Sequence, residues 1–248
     1  MNTPADWIIP EWPAPHCVKA LITTRAGGVS QGRYAGFNLG DHVGDETLAV
    51  RQNREFLCKH LPAEPKWLKQ VHGTKVANAD SLHAPVEADA SVARKADTLC
   101  AILSADCLPL LLCDASGSVV AAAHCGWRGL AAGVIEKTVS AMRTAPDTLL
   151  AYLGPAIGPK AYEVGADVRK AFLRSNAGAQ QAFAAHAPGK WLADLYLLAR
   201  QRLNRLGVKI IHGGNFCTYT EADRFFSHRR DGNTGRMASL IWLEAKRK

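Results

Sequence analysis

Two histidines and one cysteine stand where apolar runs stop or break. His72 follows Trp67–Val71, Cys107 sits between Leu99–Leu103 and Leu108–Cys113, and His124 closes Val119–Ala123. Two imidazoles and a thiolate form a recognised catalytic zinc set, because three protein ligands leave a fourth position for water or substrate. Such an ion lowers the pKa of its bound water to about 7 and makes hydroxide available at neutral pH. The same residues read in two other ways. Free cysteine is among the most buried residue types, so the three can be ordinary core residues. Alternatively Cys107 is a nucleophile with His124 as its base. Asp106 would then orient the histidine, although neighbours on a strand point to opposite faces. The gaps are long, and no HxxxH or CxxC motif selects among these readings.

The basic residues point to a second kind of chemistry. Arg128 lies just past His124 and Gly126, where a guanidinium can clamp phosphate through paired hydrogen bonds or pair with a carboxylate at the start of a helix. Arg224, His228, Arg229, Arg230 and Arg236 form the densest cluster, mixed with Asp223, Asp231 and glycines, as in a site loop. At least one of Arg229 and Arg230 is expected to make a structural ion pair. His228 is either a general acid or an exposed loop histidine. The formal net charge of +8 fits plain solubility, with a basic tail at Lys246, Arg247 and Lys248, or an anionic substrate. The scatter of the cations argues against a nucleic-acid partner.

The elements that must position these residues follow from pattern. Asp45 offers an N-cap to a helix over 46–60, closed by Pro62 and Pro65. Strand-like pieces at 67–71 and 75–77 flank His72-Gly73. The runs at 99–103, 108–113 and 119–123 are continuous and apolar, which predicts strands buried on both faces. Helices are expected at 130–142, 166–174 and 194–206, and strands at 149–153, 208–211 and 238–243. The Gly- and Pro-rich first forty residues and Gly154-Pro155-Ala156-Ile157-Gly158-Pro159 read as loops. The whole is a mixed α/β (α+β) domain with helices covering sheets.

With 248 residues, 48% apolar and 21% charged, the chain is ordinary globular material and is read as one domain, 1–248. No apolar stretch approaches the roughly 20 residues that cross a bilayer, so no membrane partner is expected. Met1–Pro10 lacks the basic start and apolar run of a signal peptide. Seven cysteines, an odd number without CxxC, suggest free thiols in a reducing cytoplasm.

Seven segments resemble, in order, the family known as YfiH, multicopper polyphenol oxidase-like, or peptidoglycan editing factor. They are Asn38-Leu39-Gly40 with His42-Val43-Gly44-Asp45; Gln70-Val71-His72-Gly73; Ala105-Asp106-Cys107-Leu108-Pro109; Ala123-His124-Cys125-Gly126-Trp127-Arg128-Gly129; the Gly154–Pro159 loop; Tyr162-Glu163-Val164; and Phe226–Gly232 with Thr234-Gly235-Arg236. The resemblance implies a layered α/β/β/α sandwich and zinc on His72, Cys107 and His124. It also implies purine nucleoside chemistry, namely phosphorolysis of adenosine, inosine, guanosine and methylthioadenosine, with deamination of adenosine. In that setting Trp127 and Tyr162 are candidates to stack on a purine, Asn38 to contact ribose, and Arg128, Arg229, Arg230 and His228 to meet substrate. Asp106 is expected to fix its loop or to brace a ligand histidine. The family also suggests removal of L-serine from a UDP-muramyl precursor, or copper-dependent phenol oxidation, for which closely spaced histidine pairs are missing. The chain departs from the family at Lys160-Ala161, where relatives often carry cysteine, and at Cys125, where a smaller residue is usual.

Overall fold

The computed structural model describes residue 4 and residues 6–245. The basic tail lies outside them. In chain order the strands are β1 (Val18–Ile22), β2 (Val76–Asn78), β3 (Ala90–Ala93), β4 (Cys100–Ser104), β5 (Leu108–Asp114) and β6 (Val120–Cys125), then β7 (Leu149–Leu153), β8 (Glu163–Gly165), β9 (Phe183–Ala187), β10 (Lys190–Ala193), β11 (Ile210–Gly213) and β12 (Met237–Leu243). The helices are α1 (Thr47–Cys58), α2 (Trp127–Ala132), α3 (Val134–Met142), α4 (Ala166–Leu173), α5 (Leu195–Leu206) and α6 (His228–Asp231).

The apolar runs become the buried centre. A six-stranded mixed sheet has the order β11-β7-β5-β6-β3-β2, and a three-stranded antiparallel sheet has the order β1-β12-β4. Every residue of β4, β5, β6, β7 and β12 is buried. Alternation assigns the faces. On β6, Ala121, Ala123 and Cys125 meet Val134, Ile135, Leu198 and Leu203 of the helical layer, whereas Val120 and Ala122 meet Cys100, Ile102 and Ile241 of the other sheet. On β12, Leu240 and Trp242 point outward to Phe37 and to Leu57 of α1. Helices, six-stranded sheet, three-stranded sheet and α1 thus stack in the expected α/β/β/α order. A small sheet, β8-β10-β9, lies beside them in the chain's later half. Among the described residues, no helix is long and apolar enough to cross a membrane.

Several expectations need correction. Trp67–Val71 is not a strand. Within it only Lys69 makes an isolated bridge, to Glu87, and the Gln70 side chain takes the Leu103 amide and carbonyl, each at 2.8 Å, where a ladder would bond. The helix read over 130–142 breaks at Gly133, whose φ of 99° separates α2 from α3. Asp45 does not cap α1: Glu46 holds the cap position, and the Asp45 carboxylate accepts from the Glu46 amide and from Asn38 Nδ2, both at 2.8 Å. His124 lies inside β6 rather than beyond it. β3, Ala-Ser-Val-Ala, carries no sequence signal because small residues give it little strand propensity. Asp194, by contrast, caps α5 through the Leu197 amide at 2.9 Å.

Candidate metal centre and its cavity

Strand register builds the centre. Cys107 immediately precedes β5, and His124 pairs with Pro109 one residue before the end of β6, so both reach the same end of the sheet. β3 pairs antiparallel on the other side of β6, with Ala90 opposite Ala123. That register sets Asp89 beside His124, whose amide donates to the Asp89 carbonyl at 2.7 Å. His72 arrives from the loop before β2 with φ of 60°, and Asp106 turns the chain into Cys107 with φ of 91°. Both sit in the left-handed region that non-glycine residues seldom occupy, a form of strain that collects at functional sites.

One donor atom from each of His72, Cys107 and His124 lies within 4.8 Å of the others, and no other group of three such residues exists among the described ones. Cys107 Sγ is 3.8 Å from His72 Nε2. Ligands at zinc distances of about 2.0–2.3 Å in a tetrahedron stand about 3.5 Å apart, so small side-chain movements would close the set on one ion. Sulfur with two imidazoles also suits copper. The space is reserved by a missing side chain. A Cβ at Gly126 would lie 2.8 Å from His72 Cδ2 and 3.1 Å from Cys107 Sγ.

The three groups also tune one another. Burial pushes the Cys107 thiol up, but the His124 charge and hydrogen bonds from His124 and His72 outweigh it and bring the thiol below its ordinary value. Burial pulls His124 down, yet the Cys107 sulfur and the Asp89 carboxylate raise it. An electron-rich sulfur held by histidines serves metal ligation and nucleophilic attack alike, so both readings of Cys107 find their geometry here.

The centre floors a cavity of about 500 Å³. Arg128, His228, Arg229, Arg236, Trp127 and Tyr162 line it, as do His42 and Gln70, to which the sequence assigns no role of their own. The signal for these two was present: each lies in one of the seven matching segments. Arg128 rests on the Trp127 ring at 4.5 Å and, among the described residues, has no carboxylate partner. The Arg229 guanidinium rests on the Tyr162 ring at 5.1 Å and donates to the Glu163 carbonyl at 2.7 Å. Each aromatic face expected to receive a purine therefore carries a guanidinium, a favourable cation–π arrangement.

Other candidates lie elsewhere. Asn38 is fully buried outside the cavity and spends its amide on Gly40, Asp45 and the Arg236 amide. Arg230 does not line the cavity either. It pairs with Asp231 and donates to the Thr218, Tyr219 and Phe225 carbonyls, as befits the expected structural arginine. Among the described residues Asp106 makes no hydrogen bond to a histidine. Its carboxylate accepts from Thr218 Oγ1 and from the Arg229 amide, both at 2.6 Å, so it anchors the loops. The carboxylate that does reach a histidine of the centre is Asp89, whose Oδ1 is 2.8 Å from His124 Nδ1. Its only sequence signal is a lone acid within Ala88–Ala93.

Fold and site together define a mixed α/β protein with a His–Cys–His centre under a cation-lined cavity. The chain belongs to the multi-copper polyphenol oxidoreductase laccase family, whose model matches residues 19–244. It is 52% identical over 239 residues to a purine nucleoside phosphorylase of Pseudomonas aeruginosa, covering 96% of this chain and 98% of that one. It is 53% identical over 239 residues to purine nucleoside phosphorylase YfiH of Escherichia coli K12, with 95% and 98% covered. A crystal structure of a Neisseria meningitidis protein, 53% identical, superposes with a TM-score of 0.94 over 97% of this chain and 100% of the other.

Proposed function

We propose that the chain is a zinc-dependent purine nucleoside phosphorylase of the cytoplasm, working as one catalytic domain over 1–248. Its substrates would be adenosine, inosine, guanosine and methylthioadenosine, with deamination of adenosine as a side activity. One observation carries the reading: the His72, Cys107 and His124 donors open into a cavity that Arg128, Arg229, Arg236 and His228 also line. The one carboxylate in that lining, Asp106, is already bonded to Thr218 and Arg229. Cations without carboxylates call for an anionic co-substrate, and phosphate is what a phosphorylase requires. Relatives that share half of this chain's residues carry that enzyme's name.

In this reaction a phosphate oxygen attacks C1′ of the ribose and the C1′–N9 bond breaks. The bonding electrons leave with the purine, which takes up a proton. His72, Cys107 and His124 would hold zinc, which supplies Lewis acidity toward an oxygen ligand. Arg128 and Arg229 orient phosphate, their guanidiniums resting over the Trp127 and Tyr162 rings. His228, on the same lining, would protonate the departing base. Deamination needs C6 of adenine at the centre instead, hence a second pose of the nucleoside.

The test is chromatography of adenosine and inosine incubated with protein of known zinc and copper content, with and without phosphate. Adenine and hypoxanthine released only with phosphate are the expected products. Inosine formed from adenosine without phosphate reports the deaminase. Stoichiometric zinc with no product from either nucleoside would overturn the reading and direct the assay to an amide of a UDP-muramyl precursor.

A further inference from the structure

We infer that Asp89 is the positioning residue of the centre, a single carboxylate that sets both histidines for metal binding. Asp89 is fully buried, where a carboxylate is tolerable only if its oxygens are bonded. Among the described residues, no lysine or arginine pairs with it. Oδ1 accepts from the His72 amide at 2.9 Å and lies 2.8 Å from His124 Nδ1; Oδ2 accepts from the Val71 and Gly73 amides at 3.1 and 2.7 Å. Every contact of the carboxylate therefore leads to one histidine or to the turn that carries the other.

Two consequences follow. An ionised carboxylate only accepts, so in the neutral ring that would bind metal Nδ1 of His124 bears the proton and Nε2 keeps its lone pair for the cavity side, where Cys107 lies. Three successive amides, 71 to 73, converge on one anion, and such a nest holds His72 in its left-handed conformation with φ of 60°. Gly129 closes the turn from behind: a Cβ there would stand 2.7 Å from the Gly73 carbonyl oxygen.

Asparagine shows why a carboxylate is needed. Its NH₂ must replace one oxygen. Facing Val71 and Gly73 it meets two N–H donors. Facing His124 it meets one donor, the His72 amide, and donates to Nδ1. The second arrangement has the single clash and is the one expected. It moves the ring proton to Nε2 and removes the lone pair that would bind metal.

The inference rests on the metal reading of the centre but not on the reaction, and its test is kept separate from turnover. In a competition titration against a chromophoric chelator, Asp89→Asn should bind zinc roughly 10- to 100-fold more weakly than the unmodified protein. Binding within twofold of it would overturn the assignment. Should that variant fail to fold, ¹⁵N-histidine NMR of the unmodified, zinc-loaded protein decides, with His124 assigned by its loss in His124→Gln. A proton on Nδ1 supports the assignment, and a proton on Nε2 overturns it. If zinc binds and the Nδ1 proton is seen while no nucleoside is cleaved, the positioning role stands and the phosphorylase reading falls.

Discussion

The floor and the rim of the cavity each rely on one buried aspartate near a left-handed corner, and the two braces do different work. On the floor, Asp89 reaches a reactive ring directly, through His124 Nδ1, and fixes the backbone of His72. On the rim, Asp106 stops at backbone and hydroxyl, holding the Arg229 amide and Thr218, while the guanidiniums lie on aromatic faces. A metal ion demands ligands placed to a few tenths of an ångström. A phosphate, with several oxygens, accepts guanidiniums in a range of poses. Under the proposed function the floor would serve position and the rim charge.

Damage should follow that division. His124→Ala should remove the metal and the activity together, as read by metal analysis beside the phosphorolysis assay; an active, metal-free variant would leave Cys107 as a nucleophile and end the metal reading. Gly126→Ala changes no ligand, yet its Cβ would meet His72 Cδ2 at 2.8 Å. Misplacement of this order costs about 10²-fold in rate, so kcat should fall by that factor with the cavity's charge intact. Arg229→Ala strikes the rim. Losing a charged hydrogen bond of about 1.5–3 kcal/mol should raise KM for phosphate about tenfold or more, with zinc content unchanged. A fall in zinc content instead would erase the distinction between floor and rim.

The smallest effect lies away from both. Asp114, at the end of β5, is raised by burial but held below the usual carboxylate range by bonds from Ser116, Ser118 and the Val119 amide. A depressed carboxylate contributes stability that is complete above its unfolded value and fades as pH falls through the lower folded one. Thermal melts of Asp114→Asn should therefore lose part of the unmodified protein's decline on the acid side, and activity near neutrality should be unaffected.

Strand content was legible where burial is two-sided. The runs at 108–113 and 149–153 are continuous because both faces are covered, and they appear almost residue for residue as β5 and β7. The helices expected at 166–174 and 194–206 appear as α4 and α5 with nearly those bounds. The extended piece at 67–71 misled because an extended backbone can spend its hydrogen bonds on a side chain, here Gln70, instead of a ladder. The break at Gly133 was hidden because an interior glycine costs a helix only about 1 kcal/mol.

For the site, residue type and local context proposed His72, Cys107 and His124, since polar groups at the ends of apolar runs must face something other than the core. The sequence by itself determined which side chains were available and which strands would be buried. Only the tertiary structure decided who braces whom. Asp106, adjacent to Cys107 in the chain, turned to the loops, and Asp89, far from His124 in the chain, became its partner because the β3–β6 register sets them side by side. Long-range register is a sum of many weak pairings across the sheet, and no single residue in the chain announces it.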